Sequence, residues 1–280
     1  MKVTTAPAYQ ERPWPYLRNA LVSYMNTKRP NGVQGFVEMD VTEALIAISR
    51  ATKALRMAVS FHAYMLYCMV QALKLHPTVI SYRLGNKLIS FDDIDVLTPV
   101  EKKLPHGGRI PTGYIVRGAQ DKSLAMINWE LRQAVRAEDI ASEEQIKMRR
   151  RFARWPVFLR NYITWKSRRD PFFFKRLHGT VILTNVQPSG FSNGGTVFGP
   201  TVHTFSLAVG TITNRLVMND QNAIVNRKIL IVGGSGDHDI VDGMVAARFV
   251  AQMTRFVEEA TALGESFLEE SRQLAAREKA

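Results

Sequence analysis

The sequence predicts one mixed α/β domain, and three observations carry that prediction. Three strongly apolar runs, Thr180 to Leu183, Phe205 to Ile212 and Lys228 to Val232, have strand length and strand composition. Helix-periodic stretches alternate with short strand-like ones before them, and a long helical pattern follows, from Gly243 through Leu263. No internal repeat or low-complexity linker divides the chain, so every apolar element is needed for one core.

In chain order, residues 1–15, with Pro7, Pro13 and Pro15 and no periodicity, read as an irregular arm. Leu17 to Met25 predicts a short helix before the Lys28-Arg29-Pro30-Asn31-Gly32 turn signal, and Gly35 to Val41 a strand. Thr42 is placed to cap a helix carrying Leu45, Ile48 and Leu55 on one face, and Ser60 to begin a second helix that stops before Pro77. Gly85-Asn86 joins Val79–Leu84 to Lys87–Phe91 as a hairpin. Strands at Asp95–Val100 and Gly113–Arg117 and a helix at Ser123–Val135 complete the first half.

Composition excludes several classes of protein. The 280 residues are 46% hydrophobic, enough for a sizeable core, and the most apolar stretch, Phe61 to Leu75, is interrupted by His62, Gln71 and Lys74. No basic patch followed by an apolar signal region opens the chain, so a cytoplasmic protein is the plain expectation. Cys68 is the single cysteine, which excludes an intrachain disulfide and a Cys-based zinc site; its apolar helical context reads as packing.

The charge is concentrated. The chain carries +12, and Lys147 to Arg176 holds eleven basic residues and one acid, Asp170, so this stretch accounts for +10. Such a local field attracts anions: phosphates, an acidic lipid surface or an acidic neighbour.

Five of the six histidines have bland settings. His62 heads a helix, His76 precedes a proline, His106 lies among glycines, and His178 and His203 flank strands. His238 follows the strand Ile229-Leu230-Ile231-Val232-Gly233-Gly234 and immediately precedes a long helix, a junction that holds a side chain firmly yet leaves it accessible. It is the candidate general base. Spacing alone favours Asp242 as the N-cap of the next helix. Glycines 233, 234 and 236 lack the acidic residue about twenty positions on that would complete a dinucleotide loop, so that reading is discounted.

His238-Asp239-Ile240-Val241-Asp242-Gly243, followed by Ala246-Ala247-Arg248-Phe249, resembles the His-x-x-x-Asp-Gly signature of the acyltransferase component of 2-oxoacid dehydrogenase complexes, shared more distantly with chloramphenicol acetyltransferase. Four further segments resemble that family in the same order: Leu17 to Leu21 with Met25, Ala72 to Pro77, Gly179 to Asn185, and Phe205 to Arg215. The resemblance spans roughly residues 17 to 257. It implies an α/β fold of the chloramphenicol acetyltransferase-like kind, a mixed sheet with flanking helices, and one catalytic domain over 1–280.

The resemblance also implies roles. His238 would take the proton from a thiol so that the thiolate attacks an acyl thioester. Thr184, where the family commonly has serine, would donate its hydroxyl to the tetrahedral oxyanion. Asp242 would pair with an arginine, for which Arg18 is the candidate, to fix the loop of His238, with Asn185 supporting the turn beside Thr184 and Gly243 completing the motif. The implied substrate is coenzyme A or its acyl ester, with no metal. The implied assembly is a homotrimer with each active site between subunits, so that His238 and Thr184 face one another from different chains. Head-to-head binding of the two thiols lets proximity supply about 7–11 kcal/mol of the barrier.

The chain departs from the family in three ways. The 280 residues hold no lipoyl or subunit-binding pattern ahead of the catalytic segment, so a lipoyl-bearing protein acting in trans is the expectation. The loop Glu101 to Arg109 does not match the family pattern and puts lipoamide specificity in doubt. The basic segment 147–176 is longer and more aromatic, with Trp155, Phe158, Tyr162 and Trp165 at helical spacing among arginines and lysines. Three readings of it stand side by side: a packed helix with a solvated basic face, an interfacial helix on an anionic membrane, and cations meeting coenzyme A phosphates. Nucleic acid is disfavoured, because no recognition motif accompanies the charge. A polar extension over about 258–280 replaces the short apolar tail of cage-forming relatives and implies a free trimer. The rival to catalysis is a noncatalytic trimeric scaffold or membrane-associated adaptor that keeps the fold.

Overall fold

The two long strands β7 (Phe205–Met218) and β8 (Ile224–Asp237) form an antiparallel hairpin on which the rest of the sheet is built. In this computed structural model the described residues are 14–27, 31–103, 109–136, 147–148, 150–186, 194–200, 202–219 and 221–277. The arm is thus described only from Trp14, and His106 with most of its loop lies outside the described residues.

Six strands pair in the order β1 (Gly32–Asp40), β8, β7, β6 (Val181–Asn185), β4 (Val96–Lys103) and β5 (Arg109–Val116). The pairs β6–β7 and β4–β6 are parallel and the others antiparallel, so the sheet is mixed as expected. The short hairpin β2 (Tyr82–Leu84) and β3 (Lys87–Ile89) turns through Gly85 at φ +58°, a conformation that costs glycine little.

One sheet face, lined by Met39, Val96, Leu183, Leu207, Leu230 and Val232, is buried against helices. These are α2 (Thr42–Leu55), α3 (Phe61–Leu75), α4 (Leu124–Arg136) and α7 (Gly243–Glu259). Helix α3 is apolar nearly all round and buries nine of its residues, which places it at the centre of this layer. Ser60 caps it, its Oγ accepting from the Ala63 N–H at 3.3 Å. Cys68 lies within it, and burial pushes its thiol up to about 12, so it packs and does not react.

Several boundaries differ from expectation for local reasons. Asp40, not Thr42, supplies the acceptor at the start of α2: its Oδ1 takes the Thr42 N–H at 2.9 Å and hydroxyl at 2.6 Å. The strands β7 and β8 run well past the apolar runs, because pairing with each other carries the polar residues from Thr213 to Lys228. The glycines at 233, 234 and 236 lie inside β8, not in a phosphate loop. A Cβ on Gly233 would fall within the ring of Phe198, so the missing side chain is what lets that ring lie on the sheet. The last helical pattern breaks at Ala260, φ +53°, after which α8 (Glu265–Arg277) packs back on α4 and α2, burying Phe267.

Residues 147–148 and 150–153 at the start of the basic segment are helical, and two longer helices follow, α5 (Val157–Arg169) and α6 (Pro171–His178). Asp170 caps α6, its Oδ1 accepting from the N–H groups of Phe172 and Phe173 at 3.0 Å each. Helix α5 packs beside α1 (Arg18–Met25), and Phe174 of α6 is buried with Tyr82 and Val202 in a small second core.

Candidate active site

His238 stands on the turn between β8 and α7 and is exposed in the single chain. Its backbone is fixed from three sides. The His238 N–H donates to Asn31 O at 2.8 Å, and the N–H groups of Ile240 and Val241 donate to Asp237 O at 3.0 and 2.9 Å. The buried Asp237 in turn donates its N–H to Thr204 O at 2.8 Å. The Asn31 side chain adds Nδ2–H to Asp239 Oδ1 at 2.7 Å. A turn so anchored presents an imidazole at a defined place without burying it.

Asp242 caps α7, its Oδ1 accepting from the Val245 N–H at 2.8 Å. This is the role its spacing favours. Arg18 is exposed at the start of α1, and no ion pair or hydrogen bond joins it to Asp242 among the described residues. Gly243 is the first residue of α7, and an added Cβ there would meet nothing within 4 Å.

Thr184 lies on β6, with Asn185 exposed at the end of that strand. Alternation along β6 sets Leu183 toward the helices and Thr184 on the opposite sheet face. There its Oγ1 lies 3.4 Å from Leu207 O, and Thr196 Oγ1 donates to the adjacent Ala208 O at 3.2 Å.

Register places Thr184 level with Ala208 of β7 and, across the next strand, with Gly233 of β8. His238 is five residues further along and two strands away. At about 3.4 Å per residue and 4.8 Å per strand the separation is about 20 Å, too far for one chain to use both groups on one substrate.

Three of the other histidines, His62, His178 and His203, are occupied. His203 is buried, with Nε2 2.9 Å from His178 O, and the His178 ring packs on Tyr24 and Phe174 with centroids 5.0 and 4.9 Å apart. His62 Nε2 lies 2.6 Å from Thr98 Oγ1. Burial lowers both His62 and His178 to about 4, which keeps them neutral and uncharged near neutrality. Among the described residues no group of three or more His, Cys, Asp or Glu could hold a metal ion.

Sequence reasoning missed Asn31 and Thr204 as supports of the His238 turn. Asn31-Gly32 is a signal for a turn, and only the antiparallel pairing of β1 with β8, Gly32 opposite Asp237, brings that turn to the candidate base.

Residues 177–264, which contain Thr184, His238 and Asp242, match the family model of the 2-oxoacid dehydrogenases acyltransferase (catalytic domain). No curated protein sequence matches. Among solved structures, a probable dihydrolipoamide acetyltransferase from Listeria monocytogenes is 21% identical, with a TM-score of 0.64 over 91% of this chain and 97% of that one. The cubic core of a pyruvate dehydrogenase multienzyme complex is 19% identical, TM-score 0.62, covering 94% and 97%. The dihydrolipoamide acetyltransferase of Azotobacter vinelandii, studied for the role of a serine, a histidine and an asparagine in its catalytic mechanism, is 20% identical, TM-score 0.61, covering 94% and 97%. Over residues 177–264 the chain is thus similar in sequence to the 2-oxoacid dehydrogenases acyltransferase catalytic domain, and over nearly its whole length it shares the fold of these acetyltransferase cores.

Proposed function

We propose that this chain, as one catalytic domain, transfers an acyl group between coenzyme A and a thiol or other small acceptor, with His238 as general base. The single observation that carries the reading is the placement of His238: exposed, yet on a turn whose backbone is bonded to Asn31 and Asp237 and lies within the matched family segment.

In the proposed step the imidazole of His238 takes the proton from the acceptor thiol, and the thiolate forms a new bond to the acyl carbonyl carbon. The negative charge that develops on the carbonyl oxygen is met by the Thr184 hydroxyl. The carbon–sulfur bond to coenzyme A then breaks, and the departing thiolate recovers the proton from His238. The reverse transfer uses the same steps, and no covalent enzyme intermediate is required.

Because the two groups lie about 20 Å apart within a chain, the site is completed by Thr184 of a neighbouring chain. A trimer with three such sites is the assembly proposed. Apolar side chains left in water near the sheet edge and hairpin tip, Phe36 of β1 and Leu216, Met218 and Ile224 of β7 and β8, support self-association. A lipoyl-bearing protein acting in trans is a candidate thiol partner. The structural relative studied for a serine, a histidine and an asparagine offers a parallel: this chain has a hydroxyl, a histidine and an aspartate.

The test is acyl transfer from acetyl coenzyme A to a panel of small thiols, with wild type and His238→Ala. The variant is expected to lose about 10²–10⁴ of the rate while its sedimentation is unchanged. Undiminished turnover would remove His238 from the reaction and leave the scaffold reading in its place.

A further inference from the structure

The acyl-transfer reading makes no use of the basic helices, which lie almost wholly before the matched family segment. Helix α5 turns Ile163, Thr164 and Ser167 inward, with Thr164 Oγ1 donating to Ser23 O of α1 at 3.2 Å. Its opposite face leaves Phe158, Tyr162 and Trp165 70%, 54% and 49% exposed. Helix α1 beside it adds exposed Leu21 and Val22.

Cations are interleaved with these rings. Arg169 lies over the Trp165 ring at 4.8 Å, and Lys166 and Arg176 lie over Phe173 at 4.7 and 5.3 Å. The one acid of the segment, Asp170, is consumed by capping α6. Lys175 pairs with Asp93 at 3.1 Å and Asp95 at 3.6 Å, but cations outnumber carboxylates on the face, which is therefore apolar, aromatic and net positive.

We infer that the α1–α5–α6 face docks on an anionic lipid surface, its rings at headgroup depth and its guanidinium and ammonium groups among the phosphates. Charge complementarity selects the occupant. In a two-fold contact a second copy of this chain would set two such cationic faces against each other, which like charges oppose. Nucleic acid would satisfy the cations but leave Phe158, Leu21 and Val22 with no apolar environment, whereas the boundary between headgroups and acyl chains accepts both. No helix among the described residues is long and apolar enough to cross a membrane, so α5 lies along the surface. This inference stands independently of the acyl-transfer reading.

The test uses the full chain and vesicles of phosphatidylglycerol with phosphatidylcholine, read by co-sedimentation and tryptophan fluorescence. The expected result is binding at low salt, little binding to pure phosphatidylcholine, and a blue shift of emission on binding. Phe158→Ser with Trp165→Ser, both at exposed positions, is expected to weaken partition at least about tenfold without changing thermal stability. Arg168→Gln with Arg169→Gln is expected to weaken it with a smaller salt dependence. Absence of binding at low salt overturns the inference. So does binding to an acidic polymer that the aromatic substitutions leave unchanged, which would point to an acidic macromolecule, or loss of the oligomer on those substitutions, which would point to self-contact.

Discussion

The N–H of His238 donates to the carbonyl of Asn31 at 2.8 Å, so the turn that opens β1 holds the residue proposed as general base. The same asparagine reaches Asp239 with its side-chain amide, at 2.7 Å. Two bonds from one residue straddle the histidine, one to its own backbone and one to its neighbour.

Asn31→Ala keeps the backbone bond and removes the amide. It is expected to lower kcat about fivefold, the worth of roughly 1 kcal/mol, with KM and thermal stability nearly unchanged. Steady-state kinetics separate this from a general loss of fold, in which stability would fall as well.

Asp242 gives a prediction about which of two roles it plays. As the N-cap of α7 it needs an acceptor oxygen, not a charge. Asp242→Asn should therefore retain stability, and Asp242→Ala should lose about 1 kcal/mol in chemical denaturation. If Asn is as damaging as Ala, an ion pair carries the stability and the capping account is wrong.

His178 makes stability depend on pH. Its folded value is lowered to about 4 by burial between Tyr24 and Phe174, while the unfolded chain keeps the ordinary value of about 6.5. Between those values the unfolded state binds the proton and the folded state does not, so stability falls as pH drops from about 6.5 to about 4. The effect is at most about 3 kcal/mol. Thermal denaturation at pH 7 and pH 5 should show a smaller loss in His178→Phe than in wild type; equal losses would remove His178 as a cause. His62 contributes in the same direction and for the same reason.

Much of the architecture was legible because the apolar runs are unambiguous. The helix from Ser60 to before Pro77, the Gly85-Asn86 turn and the strand before His238 lie where propensity and punctuation put them, whereas the hairpin strands are shorter than expected because Val79 and Ile80 belong to a 3₁₀ turn after Pro77. The lengths of β7 and β8 were not legible, since beyond Ile212 each strand is held by pairing with its polar partner and not by burial. Nor was the break at Ala260, where an ordinary residue adopts a left-handed conformation and reverses the chain onto α4 and α2.

At the candidate site, the N-cap role of Asp242 was legible from its spacing. The partnership of Asn31 with the His238 turn was not, because it depends on which strand pairs at the sheet edge. The pairing of Arg18 with Asp242 is not formed in the single chain. The resemblance supplied that arginine, whereas local geometry gives the aspartate a backbone partner instead.

The proposed site, built from His238 of one chain and Thr184 of another, is tested by mixed oligomers. His238→Ala and Thr184→Ala chains, each weakly active alone, are unfolded together, reassembled and assayed for acyl transfer. Random mixing should restore about one site in four, because that fraction joins an intact histidine to an intact threonine across the interface. Recovery near a quarter of the wild-type rate is the predicted result. A mixture no more active than the two variants assayed separately would contradict it.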